Sequence, residues 1–323
     1  MEDRYTNHLL IMAYGGPNSL DDVAPYLLDV RHYRPTPEHV TAEITDRYRQ
    51  IGGRSPILEL TQEEAAGIEA ELNRLAAPGE RWKVWVGMRH WKPFIKDTLA
   101  EMEAAGVTEA LGLVMAPHYS KMSIGAYFER LAEAGSPITI TPIEAWHLLP
   151  GYLDALIDRL ETAIATFPED VRDEVPVIFS AHSLPERITT WNDPYPHVLQ
   201  ETVAALTERL PGRTWRWAYQ SAAMTPDPWL GPDAADVITE LHKEGYQHVL
   251  ICPIGFICEH VEILYDIDIE YQQLASELGL TLKRIEMLNA HPSMLNGLAG
   301  LVRERAVEAG LVRVPAEAGN AAS

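Results

Sequence analysis

The strongest constraint in this chain is an alternation: short apolar runs rich in β-branched residues each give way to a longer amphipathic stretch. The runs are HLLIMA (8–13), WKVWVG (82–87), ALGLVMAP (110–117), ITITPI (138–143), VPVIFSA (175–181), WRWAYQ (215–220) and HVLICPI (248–254). Such an alternation is the mark of parallel sheets covered by helices, an α/β fold. Among the helical stretches, LTQEEAAGIEAELNRLAA (60–77) reads as opening on Thr61, with Glu64 completing a capping box. Another, AADVITELHKEG (234–245), is opened by Asp233 and closed by Gly245. A chain of 323 residues exceeds one ordinary core. Two Rossmann-like lobes are therefore expected, 1–145 and 146–323, meeting near LLPGYLDALIDRLETAIATF (148–167), with the last helix packing back on the first lobe.

Charge and composition remove several classes of function. A formal net charge of −21 repels polyanions and leaves no counterion release to drive nucleic-acid binding. The opening MEDRYTNHLLIMAYGG has neither a basic leader nor an adequate apolar core for a signal peptide, and no run of about 20 apolar residues follows to span a membrane. Only Cys252 and Cys258 are present, too few for a disulfide framework or a four-thiolate iron–sulfur cluster. A cytoplasmic enzyme is the expectation.

The polar residues of interest stand just past strand ends: Tyr14 after LLIMA, His118 after GLVMAP, His182 after VIFSA and Gln220 at the end of WRWAYQ. Open α/β sheets bind ligands outside the carboxyl ends of their strands, so both lobes aim chemistry at a shared crevice. From spacing alone His182 is either a ligand or base near neutral pH, or a structural histidine before Pro185. Ser183 beside it makes no hydrolase, because no GxSxG elbow exists. Glu262, Asp266 and Glu270 recur at i, i+4 and i+8, aligning carboxylates that repel unless cations join them; an ordinary solvated face is the alternative. Arg31, Arg34, Arg47, Arg49 and Arg54 either form a pocket for a carboxylate-bearing ligand or pair with Glu38, Glu43 and Asp46. Neither GxGxxG nor GxxxxGK[ST] occurs, which disfavours a nucleotide enzyme.

LLIMAYGGP, DRYRQIGGRSPI, APHYS, SAHSLPERI, QSAAMTPDPWLGPD and GFICEHVEILYDIDIE appear in this order between about 11 and 270. Together they resemble ferrochelatases, in particular the bacterial branch that acts on coproporphyrin III. The resemblance implies two lobes with a porphyrin cleft between them, His182 and Glu262 at the metal on one side, and Tyr14 opposite, its phenol oxygen able to ligate the inserted iron. Arg31, Arg47, Tyr48, Ser55 and Tyr127 match positions that contact the macrocycle and its propionates, and Asp266 and Glu270 match a carboxylate row on a metal route. Two positions depart from the pattern: His32 stands where a second arginine is frequent, and Arg89 where a lysine is common.

The resulting expectation is Fe2+ insertion into coproporphyrin III to give coproheme. Fe2+ enters as substrate, with no permanently bound cofactor and no iron–sulfur centre. The protein is expected to be a monomer that touches neighbouring haem-pathway enzymes in passing, without nucleic acid or transmembrane segment. The rivals are a protoporphyrin IX ferrochelatase, another tetrapyrrole chelatase relying on more histidines than His182, and a non-catalytic haem or porphyrin carrier.

Overall fold

The computed structural model describes residues 5–223 and 226–312. The first lobe runs β1 (Asn7–Ala13), α1 (Val23–Val30), α2 (Glu38–Gln50), α3 (Ile57–Leu75), β2 (Trp82–Met88), α4 (Ile95–Ala104), β3 (Glu109–Val114), α5 (Ala126–Ala134) and β4 (Thr139–Ile143). Helix α6 (Pro150–Ala165), opened by a proline whose missing N–H costs a helix nothing at that position, leads into the second lobe. There follow β5 (Val177–His182), α7 (Tyr195–Arg209), β6 (Trp215–Gln220), α8 (Ala234–Lys243), β7 (His248–Pro253), α9 (Val261–Leu264), α10 (Gln272–Leu278), β8 (Thr281–Arg284) and α11 (Pro292–Glu308).

All strand pairs are parallel, and the two sheets share one order, β2-β1-β3-β4 and β6-β5-β7-β8. The apolar runs became strands; Leu9, Leu10, Ile11 and Met12 of the inner strand β1 are all fully buried by helices on both faces, whereas the outer β4 and the start of β6 stay partly exposed. The order of the strands reverses between β1 and β3 in one sheet and between β5 and β7 in the other, and ligands settle at such switch points. One continuous core runs through both lobes, from Leu9 and Leu111 through Tyr152 and Leu295 to Phe179 and Leu250. Helix α11 packs on α6 of its own lobe and on α3 of the first, so the lobes are joined along one side, and the Tyr152 hydroxyl ties α6 to the Ile254 carbonyl at 2.6 Å.

Two local readings are corrected. Thr61 is not an N-cap: α3 starts at Ile57, and Thr61, a full turn inside, donates its hydroxyl to the Ile57 carbonyl. Glu64 accordingly closes no capping box and lies wholly buried. The acidic segment is not one regular helix either, since Asp266–Tyr271 winds as a π-helix between α9 and α10. Helix α8 does open on Asp233, whose carboxylate accepts from the Ala235 N–H at 2.8 Å, and Gly245 behind it takes the left-handed φ of +100° that ends the turn.

Candidate active site

A cavity of about 370 Å³ opens where the carboxyl ends of both sheets meet. Its wall is built from residues at or past the ends of β1, β2, β3, β5 and β7: Tyr14 and Gly15, Arg89 and His90, Met115, Ala116 and His118, His182, and Gly255 to Cys258 with His260 to Glu262. Tyr26, Tyr48, Ser55 and Tyr127 close it from the helical side of the first lobe. A larger hollow of about 970 Å³ lies at the opposite, amino ends of the first sheet, lined by Asn7, Trp82 and Thr108 among others. It holds none of the candidate groups, so size alone does not locate the chemistry.

Two histidines on the second-lobe wall have settled hydrogen-bond roles. His182 Nδ1 lies against the Ser183 carbonyl. A carbonyl only accepts, so Nδ1 donates there, and Nε2 is the ring nitrogen left to bind a metal or take up a proton. The Tyr195 hydroxyl donates to the His182 carbonyl at 2.9 Å and fixes the strand end from behind. Glu262 stands nearby on α9, with His260 Nε2 at 3.3 Å from its carboxylate and His260 Nδ1 at 2.8 Å from the Cys258 carbonyl. By the same logic His260 Nδ1 is a donor, which leaves its Nε2 beside the Glu262 carboxylate. Gln220 reaches across from β6 and donates to the Glu262 carbonyl at 3.1 Å, its own oxygen held by Ser180 at 2.8 Å.

The first-lobe wall is aromatic and basic. The Tyr14 ring lies 4.6 Å from that of His90, and the Arg89 guanidinium spreads over the rings of Tyr14 (5.8 Å) and Tyr127 (5.3 Å). Although 37% of its surface faces the open cavity, Tyr14 sits deep in the protein. Burial pushes its phenol up to about 12, partly opposed by Arg89 and reinforced by Glu262. His90 is pulled down to about 4, first by burial and then by the Arg89 charge, while Asp29 at 2.7 Å opposes the shift. Burial and the neighbouring His147 hold His118 well below the usual histidine range, and its Nε2 bonds the Thr202 hydroxyl of the other lobe at 2.8 Å.

Of the residues singled out from sequence, Tyr14, Tyr48, Ser55, Tyr127, His182 and Glu262 therefore share one cavity, whereas Arg31, Arg47, Asp266 and Glu270 do not line it. Asp266 and Glu270 border a smaller pocket of about 310 Å³ together with Arg47 and Ser221. The cation that relieves the acidic row is Arg47 of the first lobe, 3.5 Å from Asp266, 3.6 Å from Glu270 and stacked over the Tyr265 ring. Burial lifts the Asp266 carboxyl to about 7, against the pull of the Ser221 hydroxyl and Arg47. Arg49 and Arg54 are taken up by Asp46 and Glu59 on the surface. Sequence reasoning missed His260 and His90 and treated Arg89 as a detail. The rule that selected Tyr14 and His182 also selects Arg89 and His90, which directly follow β2.

In its overall build the molecule is a two-lobed chelatase fold. SirB from Bacillus subtilis with Fe3+ matches it at a TM-score of 0.60 and 14% identity, over 94% of this chain and 97% of that one. CbiX, the terminal enzyme for biosynthesis of siroheme in denitrifying bacteria, matches at 0.54, with 92% of this chain and 99% of that one covered. The ferrochelatase family model matches residues 6–306. A ferrochelatase of Herpetosiphon aurantiacus is 43% identical over 299 residues, covering 91% of this chain and 97% of the relative. The coproporphyrin III ferrochelatase of Bacillus subtilis is 37% identical over 301 residues, with 92% and 97% covered. The chain belongs to the ferrochelatase family and is a porphyrin metal chelatase.

Proposed function

We propose that this protein inserts Fe2+ into coproporphyrin III, with His182 and Glu262 at the metal on one wall and Tyr14 on the other. The observation that carries the reading is their placement: one cavity holds an imidazole and a carboxylate on the second lobe and a phenol on the first. Insertion must strip water from Fe2+, bend the macrocycle so that its nitrogen lone pairs meet the ion, and remove the pyrrole N–H protons. His182 Nε2 offers a lone pair for the dehydrating ion or a leaving proton. Glu262 is a second acceptor, with the His260 ring 3.3 Å from its carboxylate. The apolar side chains of Ile57, Met115, Met122, Leu184 and Phe256 supply walls against which the ring can be held distorted. No further cofactor is needed, since Fe2+ is consumed as substrate.

Tyr14 and the relatives that carry the coproporphyrin name favour a coproporphyrin substrate. Protoporphyrin IX is the second reading, because the relatives at 43% identity are named ferrochelatase without that qualifier. Anaerobic Fe2+ insertion with both porphyrins in parallel, followed by loss of porphyrin fluorescence, tests the proposal. Multiple turnover with preference for coproporphyrin is expected; preference for protoporphyrin, or binding without turnover as in a carrier, would overturn it. His182→Ala is expected to lower the rate at saturating porphyrin by about a hundredfold or more, the scale of a lost ligand or general base.

A further inference from the structure

Two histidines at the seam between the lobes have no task in the reaction described so far, and each has an unsatisfied ring nitrogen. His118 lines the cavity, is 3% exposed, and its Nδ1 is sealed from solvent without a hydrogen-bond partner. The ring of His147, just ahead of α6, lies 5.7 Å from that of His118, and its Nδ1 is sealed and unpartnered as well. A buried polar atom without a partner is costly, so two on neighbouring rings ask for more than a packing role.

The other two ring nitrogens lead outward. His118 Nε2 lies 2.8 Å from the Thr202 hydroxyl, and His147 Nε2 lies 3.0 Å from the Glu201 carboxylate. Glu201 in turn stands 3.6 Å from His197, whose side chain is 78% exposed. All three of these partners belong to α7, so one helix lines a path from the edge of the cavity to solvent. The Thr202 hydroxyl is also 3.3 Å from the His147 carbonyl. It can donate there and accept from His118 Nε2, or donate to Nε2 itself, so His118 can keep its proton on either nitrogen. Such a ring takes up a proton at one nitrogen and releases another from the second, and burial beside His147 keeps it neutral between transfers. Tyr152 is the other titratable group beside His118, at 6.3 Å, and its hydroxyl is committed to the Ile254 carbonyl.

Metal insertion breaks two pyrrole N–H bonds. Their electron pairs stay on the nitrogens and become bonds to iron, while two protons must leave a cavity that the macrocycle occupies. We propose that His118, His147 and Glu201 are the exit for these protons: a proton taken up by His118 releases one to His147, which passes one through Glu201 to water. This rests on the porphyrin-chelatase class of the protein and holds for either porphyrin.

The test follows anaerobic Fe2+ insertion in a single turnover, where product release cannot mask the step, with whichever porphyrin wild type uses faster, so that an error in the substrate reading leaves the outcome intact. Wild type, His147→Gln and Glu201→Gln are compared with and without added imidazole, a diffusible proton carrier. His147→Gln keeps a hydrogen-bonding group beside Glu201 but carries no proton. It is expected to slow insertion at least about tenfold, with porphyrin affinity from fluorescence quenching unchanged. Imidazole is expected to return most of the lost rate to both variants and to leave wild type as it was. A wild-type rate in His147→Gln would overturn the relay, and so would a loss that imidazole does not relieve, which would mark a structural role for the pair.

Discussion

Glu64 is the residue whose burial is hardest to explain by packing. It is wholly buried on α3, neither carboxyl oxygen has a hydrogen-bond partner, and burial pushes its carboxyl well above the usual range. A group with a raised pKa in the folded state contributes its stability below the unfolded value and loses it as pH climbs toward the folded one. Wild type should therefore fall behind Glu64→Gln by about 1.4 kcal/mol per pH unit across that window, a difference read from urea midpoints between pH 5 and 8. Gly255 is constrained differently, by space: a Cβ there would stand 2.7 Å from the Ala181 Cβ and 3.5 Å from the His182 N. Gly255→Ala should push the His182 strand end aside and lower iron insertion more than tenfold, an effect visible in kcat. At this scale much was legible in the sequence: Tyr14, His118 and His182 stand just past apolar runs, and that position alone sends a side chain to the crevice. Glu64 was misread because TQEE has the spacing of a cap, while the true start, Ser55-Pro56-Ile57, lies a turn earlier. Spacing does offer Arg47 its helix neighbour Glu43, 3.1 Å away, but it cannot tell that Arg47 also reaches Asp266 and Glu270, since those two come from a distant part of the chain.

Among the elements, the π-helix at Asp266–Tyr271 and the crossing of α6 with α11 have the clearest physical content. A π-turn disturbs the i, i+4 stacking of an α-helix, so Glu262, Asp266 and Glu270 do not form the single stripe that their spacing suggests. Asp266 instead turns inward to Ser221 and Arg47. The α6–α11 crossing is as close as backbones allow: a Cβ on Gly151 would fall 2.2 Å from the Ser293 carbonyl oxygen and 3.2 Å from the Gly297 Cα. Gly151→Ala should force the helices apart and cost about 1–3 kcal/mol of stability, measurable as a lowered urea midpoint at unchanged slope. Seven of the eight strands were visible as apolar runs. The eighth, TLKR (Thr281–Arg284), was not, because it is a short outer strand whose Lys283 reaches the Thr166 carbonyl and whose Arg284 pairs with Glu259 and Asp268. An edge strand need not be apolar on both faces.

For the whole molecule, the seam between the lobes decides how the cleft behaves. On one side lie the shared core and α11; near the cavity, Asp193 accepts from the Ser120 hydroxyl at 3.0 Å and the Lys121 N–H at 2.8 Å. Across the acidic row, Arg47 is the bridge. Its replacement by alanine leaves Asp266 and Glu270 without a cation and should cost about 1–2 kcal/mol, discounted for the partial exposure of the pair, with a wider cleft seen as faster proteolysis or a larger radius in X-ray scattering. That two lobes exist follows from length and alternation, but the seam is made of contacts far apart in sequence and had no local signal. The shared strand order carries one more consequence. Tyr14 directly follows β1 and His182 ends β5, the matching strands of the two sheets, so they occupy closely similar stations in two copies of one plan. A self-paired half-length chain would be obliged to present identical groups above and below a flat guest. Because the two copies here are written separately along one polypeptide, each can mutate without altering the other, and one lobe can bring a phenol to the cavity while the other brings an imidazole.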